Sequence, residues 1–312
     1  FNRYGIWGRR GQECSNGNFN HRELIDHLYD EDFGTARLGA IIGNDSQCNA
    51  LTDSDLWVTT GVVHLLAAHA ADPQDVPISD ADVDGFRAYL QKFSKLLELR
   101  VSATVATDFN GTPVAALSFE NGRWDDYDYH GEYTYIGYTG TTYPSTDDQN
   151  HTPGHSWDTS HAARFVDLFN AFFDNRHVVQ GGCFPKRSVL EKLSNQITYG
   201  IFNGDLEWPL FANYFDGSNG WFRVEGGSGY PPWSQSKSVF IDGYGLWARF
   251  NPDLRVLQDR FMEMLEGNAF APDASGNAHP LVLLPRSGGG LLPQGESIGV
   301  GKSGSGMRRT AN

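Results

Sequence analysis

The sequence predicts a mainly α fold in which helical hairpins are arranged around a ring, with a small β excursion around residues 100–143. Three observations carry this. Apolar residues recur at helical spacing in segment after segment, loops rich in Gly, Asn and aromatic residues separate those segments, and the pattern changes to short β-prone runs only between about Arg100 and Tyr143.

The first helix opens at a capping box, Thr52 with Asp55, and runs through Trp57, Val58, Val62, Leu65 and Leu66 to end near Pro73. A second box, Ser79 with Asp82, starts a helix carrying Val83, Phe86, Leu90, Phe93 and Leu97, so the two are expected to pack as a hairpin. Asn110-Gly111 and Asn121-Gly122 read as hairpin turns in the β excursion. Trp124 to Tyr138 (WDDYDYHGEYTYIGY) reads as an edge ribbon with cross-strand aromatic pairs, or as a sugar platform or acidic metal site. Helical patterns resume at His161 to Asp174, Ser188 to Phe202, Leu206 to Phe215, Ser236 to Phe250 and Pro252 to Glu266. In the first of these, capped by Ser160 or Asp158, Phe165, Leu168, Phe169 and Phe172 form the buried stripe. No linker interrupts the body. Residues 1–284 are expected to form one domain, and 285–312, rich in Gly and Ser, a C-terminal arm.

The chain has 312 residues, 39% hydrophobic, enough for a real core. A net charge of -14 with no Lys/Arg-rich tract argues against nucleic acid as a partner. An anionic ligand would need a local basic cleft, for which Arg9, Arg10, Arg164, Arg187, Arg223 and Arg249 are the suppliers. No run of 18 apolar residues exists, so no membrane span is expected. Opening at Phe1 without a methionine or signal peptide, the sequence reads as a processed or trimmed chain. Cys14 and Cys48 could pair in an oxidising compartment, leaving Cys183, and their spacing excludes a cysteine zinc site. Sequons at Asn44, Asn110 and Asn150, with 13% aromatic content, point to a secreted, extracellular or periplasmic protein that handles carbohydrate. Nothing in the sequence sets the oligomeric state.

The densest chemistry lies in Gly154 to Arg164 (GHSWDTSHAAR), where His155, His161, Trp157, Asp158 and Arg164 crowd one helix entrance. Arg164 follows His161 by three residues, so a cation and a titratable imidazole share a face. A histidine in a first helical turn is more often a packed or capping residue, and that reading stands beside the catalytic one. Asn213 to Arg223 (NYFDGSNGWFR) and Gly229 to Trp233 (GYPPW) offer Asn213, Tyr214, Trp221, Arg223, Tyr230 and Trp233 as walls on which sugar rings stack, or as core fillers. No GxSxG elbow, HExxH, P-loop or dinucleotide fingerprint occurs in its proper context.

These segments, together with Val239 to Leu254 (VFIDGYGLWARFNPDL), resemble the α/α-toroid polysaccharide lyases of the alginate and glucuronan lyase type, over about residues 50 to 266. The resemblance implies an incomplete barrel of helical hairpins and β-elimination on a uronic-acid polysaccharide, with no cofactor and no required metal. In that chemistry a cation steadies the uronate carboxylate, a base removes the C5 proton, and an acid protonates the leaving oxygen. The resemblance implies His155 or His161 as base or carboxylate neutraliser, Arg164 as clamp, and Tyr244 or Tyr214 as acid; Asn150-His151 is similar to an adjacent pair some alginate lyases use. Two other readings stand. One is a glycoside hydrolase on the same ring, drawing two carboxylates from Asp158, Asp205, Glu207 and Asp216. The other is a secreted glycan-binding protein without chemistry.

Overall fold

The computed structural model describes residues 21–30, 35–36, 51, 53–119, 156–180, 184–221, 230–236, 239 and 242–266. It is mainly α. The elements run α1 (His21–Leu28), β1 (Tyr29–Asp30), β2 (Thr35–Ala36), α2 (Asp53–Ala71), α3 (Asp80–Leu99), β3 (Val101–Thr107) and β4 (Pro113–Phe119). They continue with α4 (Thr159–Ala162), α5 (Arg164–Asp174), α6 (Arg176–Val179), α7 (Arg187–Asn195), a π-helix (Gln196–Gly200), a 3-10 helix (Tyr244–Arg249) and α8 (Pro252–Glu266). No described helix is long and apolar enough to cross a membrane.

The α2–α3 hairpin forms, with the cap expected for α3; Thr52, expected to cap α2, lies outside the described residues. Ser79 accepts from the Asp82 amide at 3.2 Å and donates back to its carboxylate at 2.6 Å. The α3 stripe of Val83, Phe86, Leu90, Phe93 and Leu97 is buried, and Tyr89 and Leu96 join it. In α2 the buried face is Leu56, Val62, Val63 and Leu66, which turns Trp57 outward to 52% exposure and leaves Val58 and Leu65 half-buried. That helix is apolar nearly all round, so sequence periodicity does not decide which side its neighbours cover. α5, α3 and α6 decide it by packing there.

The hairpin turn at Asn110-Gly111 also forms. β3 pairs antiparallel with β4, from Val101 opposite Phe119 to Thr107 opposite Pro113. Asp108 ties the loop by accepting from the Asn110 and Thr112 amides at 2.9 and 2.8 Å, and Gly111 takes a φ of 80°. Phe119 ends the hairpin in the core, with ring centroids 4.0 Å from Phe165 and 4.6 Å from Phe215. Trp157 meets Phe165 edge-on at 5.0 Å, and Phe169 packs on Phe184 and Trp247. This aromatic cluster joins hairpin, α5 and the 211–215 segment, each buried ring contributing about 1.5–3 kcal/mol.

Four helical expectations are corrected. His161 to Asp174 begins earlier, at Thr159 with Asp158 as N-cap, and breaks at Ala163. Leu206 to Phe215 is not a helix. Pro209 has no N–H to donate, and the Asn203 and Asp205 carboxamide and carboxylate groups capture the amides of Leu210, Glu207 and Trp208 in local turns. Of Ser236 to Phe250, Tyr244–Arg249 forms a 3-10 turn entered through Gly243 at φ 96°. Ser188 to Phe202 is α only to Asn195 and widens into the π-helix. Trp124 to Tyr138, Asn121-Gly122, the three cysteines and the Gly/Ser-rich arm lie outside the described residues.

Candidate functional site

The three segments singled out in the sequence converge. Residues 157–159 lie against 211–215: the Phe215 amide donates to the Trp157 carbonyl at 2.9 Å, the Thr159 amide to the Asn213 carbonyl at 2.8 Å, and the Thr159 hydroxyl to the Ala212 carbonyl at 2.7 Å. From the third segment the Tyr244 hydroxyl donates to the Thr159 carbonyl at 2.8 Å. The helix entrance is thereby fixed from two sides.

Asp158, fully buried, organises that entrance. Its Oδ1 accepts from the amides of Ser160 and His161 at 3.0 and 3.2 Å and from the Ser160 hydroxyl. Its Oδ2 faces His161 Nδ1 at 2.5 Å, so one carboxylate caps α4 and orients the imidazole, which is 13% exposed. One turn on, the Arg164 guanidinium donates to the Ser160 carbonyl and stands 5.0 Å over the exposed Trp57 ring.

Arg164 opens a surface groove between α2, α5 and the 3-10 helix. Its first recess, about 370 Å³, is lined by Trp57, Ala163, Arg164, Asp167, Asp242 and Gly243. A second, about 310 Å³, shares Asp167 as a wall and adds Thr60, His64, Asn170, Asp174 and Leu246 among its lining. Ala163 keeps right-handed helical dihedrals at the break, so His161, Arg164, Asp167 and Asn170 follow one another at i, i+3 spacing, each about 4.5 Å further along the axis. The groove walls desolvate Asp167 and raise its pKa, while the charges of His64 and Arg164 pull it down.

No family model, curated protein or solved structure matches this chain.

Of the residues that sequence reasoning put forward, Arg164 lines the first recess, while His161 is held by Asp158 and lines neither recess. The fold buries others. Tyr244 is fully buried with its hydroxyl committed to Thr159, and burial pushes its pKa well above the ordinary value, with Asp158 and Asp242 adding to the rise and Arg164 opposing it. Tyr214 is fully buried and donates to the Trp221 carbonyl at 3.0 Å. Asn213 is buried too, donating to the Gly220 and Pro231 carbonyls and accepting from the Gln235 amide. Trp157 lies in the aromatic core at 0% exposure. These four are corrections with one physical cause: the aromatic and carboxamide groups nearest the entrance hold it together from inside. Trp221 and Trp233 are half-buried and do not line either recess; Trp233, at φ 69°, donates its amide to Asn219. His155, Arg223 and the Asn150-His151 pair lie outside the described residues.

The carboxylates proposed for hydrolysis line neither recess. Beyond Asp158, Asp205 caps the Glu207 and Trp208 amides, Glu207 pairs with Arg260 at 3.1 Å, and Asp216 holds Ser218. The groove residues that sequence reasoning missed are Trp57, His64, Asp167, Asn170 and Asp242. Only Asp167 and Asn170 carried a signal, the i+3 and i+6 positions from Arg164.

Proposed function

We propose that the protein is a polysaccharide lyase whose α2–α5 groove binds a uronic-acid-containing chain and cleaves it by β-elimination. The observation that supports it best is Arg164 and Asp167, three residues apart on α5, lining one recess beside the exposed Trp57, with the Asp158-held His161 three residues before Arg164. Arg164 would neutralise the uronate carboxylate, lowering the energy of the intermediate that forms as the C5 proton leaves. His161, oriented by Asp158, would take that proton; the electron pair forms the C4–C5 double bond as the C4–O bond breaks. Asp167, with its raised pKa, would return a proton to the leaving oxygen, the task that the burial of Tyr244 leaves open. Trp57 offers the face on which a sugar ring stacks. The α2–α3 hairpin, packed against α5 and α6, would be part of an α/α toroid. Acidic polysaccharide, outside the cell or in a periplasm, would be its substrate.

A second reading draws on one observation. Asp167 and Asp242 line the same recess, and the elevated pKa of Asp167 suits the general acid of a glycoside hydrolase. The test is ultraviolet absorbance during incubation with polymannuronate, polyguluronate, glucuronan and pectate. A rise from the conjugated double bond supports elimination, and His161→Ala should slow it by about 10²–10⁴-fold while binding persists. New reducing ends without absorbance overturn elimination in favour of hydrolysis. Neither signal, on these or on a polymer alternating glucuronate with N-acetylglucosamine, leaves a glycan-binding protein where binding is retained.

A further inference from the structure

We infer that the groove selects a mixed polymer, with a uronate beside Arg164 and an uncharged sugar in the adjoining recess, rather than a run of consecutive uronates. The inference rests on the groove being a carbohydrate site and concerns what lies next to the acidic unit.

The charges along the groove differ from end to end. Arg164 is the one described arginine or lysine lining either recess. Arg164 offsets Asp167 and Asp242 in the first recess, whereas the second has Asp167 and Asp174 with no described arginine or lysine in its lining, and the Asp174 carboxylate already holds Arg249 at 3.0 Å. A second carboxylate in this recess would face Asp167 and Asp174, with Arg249 already engaged by Asp174, which disfavours it in a partly desolvated groove. A hydroxyl or acetamido group meets better partners. Asn170 is 7% exposed, its Oδ1 accepts from Arg249 at 2.7 Å, and its Nδ2 has no acceptor among the described residues. Because Arg249 can only donate, it fixes which end of the carboxamide is the amine. A buried N–H donor without a partner is uncommon, and a ligand oxygen drawn into the recess would satisfy it. Thr60 and His64 add polar groups, and Leu246, 51% exposed, adds an apolar patch for the ring of a neutral sugar.

The test is binding of three tetrasaccharides to the full chain, followed by isothermal titration calorimetry. One alternates glucuronate with N-acetylglucosamine, one is glucuronate throughout, and one is the neutral glucose tetramer. The alternating probe is expected to bind at least tenfold more tightly than either of the others. Asp167→Asn, nearly isosteric, is expected to bring the all-glucuronate probe to within about threefold of the alternating one, with thermal unfolding checking that the fold is kept. Equal or tighter binding of the all-glucuronate probe to the unaltered protein overturns the inference and leaves the acidic-polysaccharide reading standing. Tightest binding of the neutral probe, or binding of none, overturns both.

Discussion

Replacing Asp158 separates two roles that one buried carboxylate performs. Asp158→Asn keeps an oxygen to cap the Ser160 and His161 amides but puts an amide nitrogen where Oδ2 meets His161 Nδ1 at 2.5 Å. A charge-assisted bond is then exchanged for a neutral one, a loss of about 1 kcal/mol. Asp158→Ala removes the cap as well, about another 1 kcal/mol, and orphans the Ser160 hydroxyl, for a total of about 3 kcal/mol. Urea denaturation would read these losses directly, and the larger one corresponds to a Tm drop of roughly 6–12 °C. A double-mutant cycle of Asp158→Ala with His161→Ala isolates the contact between the two side chains, expected at about 1–2 kcal/mol. A cycle additive to within about 0.3 kcal/mol would refute the claim that Asp158 holds the imidazole, and equal losses for Asn and Ala would refute the assigned cap.

Four further outcomes follow from the same geometry. Tyr244→Phe should lower stability by about 1–3 kcal/mol, because the Thr159 carbonyl loses its 2.8 Å donor, and leave turnover on any cleaved substrate nearly unchanged; a hundredfold loss of kcat would return Tyr244 to the catalytic set. Burial and the hydrogen bond to Asp253 push Tyr199 up to about 12, so its contribution is complete below pH 10.0 and is lost as pH rises through 12; ultraviolet difference titration of wild type against Tyr199→Phe should show one phenol ionising at the upper value. Asp167→Asn should raise stability slightly, within about 0.5 kcal/mol, because a raised carboxyl pKa penalises the ionised fold. That gain should appear at pH 7 and vanish below the ordinary Asp value of 3.8, and a gain that persists at pH 3 would assign it another cause. Gly217→Ala should cost about 2 kcal/mol or more, since φ is 94° and an added Cβ would stand 2.8 Å from the Gly200 carbonyl oxygen; chemical denaturation midpoints decide it.

Local rules made much of this protein legible in its sequence. Ser79 and Asp82 mark the start of α3, Asn110-Gly111 marks the β3–β4 turn, and the spacing of Phe165, Leu168, Phe169 and Phe172 marks the buried side of α5. Each is decided by groups within a few residues of one another, through a cap, a positive φ or a helical period. The closeness of His161 to Arg164 was legible for the same reason, being an i, i+3 relation.

Tertiary structure decided what required partners from distant parts of the chain. α2 is apolar on almost every side, and only packing against α3, α5 and α6 left Trp57 and His64 on the groove face. Tyr214, Tyr244, Asn213 and Trp157 have the composition of a sugar site, yet they are buried because their polar atoms or rings are needed to join residues 157–159 to 211–215 and to the 3-10 helix. A tyrosine or tryptophan carries both a large apolar area and a polar handle, so its sequence position is compatible with either place. Which one it takes depends on the partners that folding brings to it: for Asn213, Tyr214 and Tyr244 these are backbone carbonyls in the protein interior, and for Trp157 the Phe165 ring.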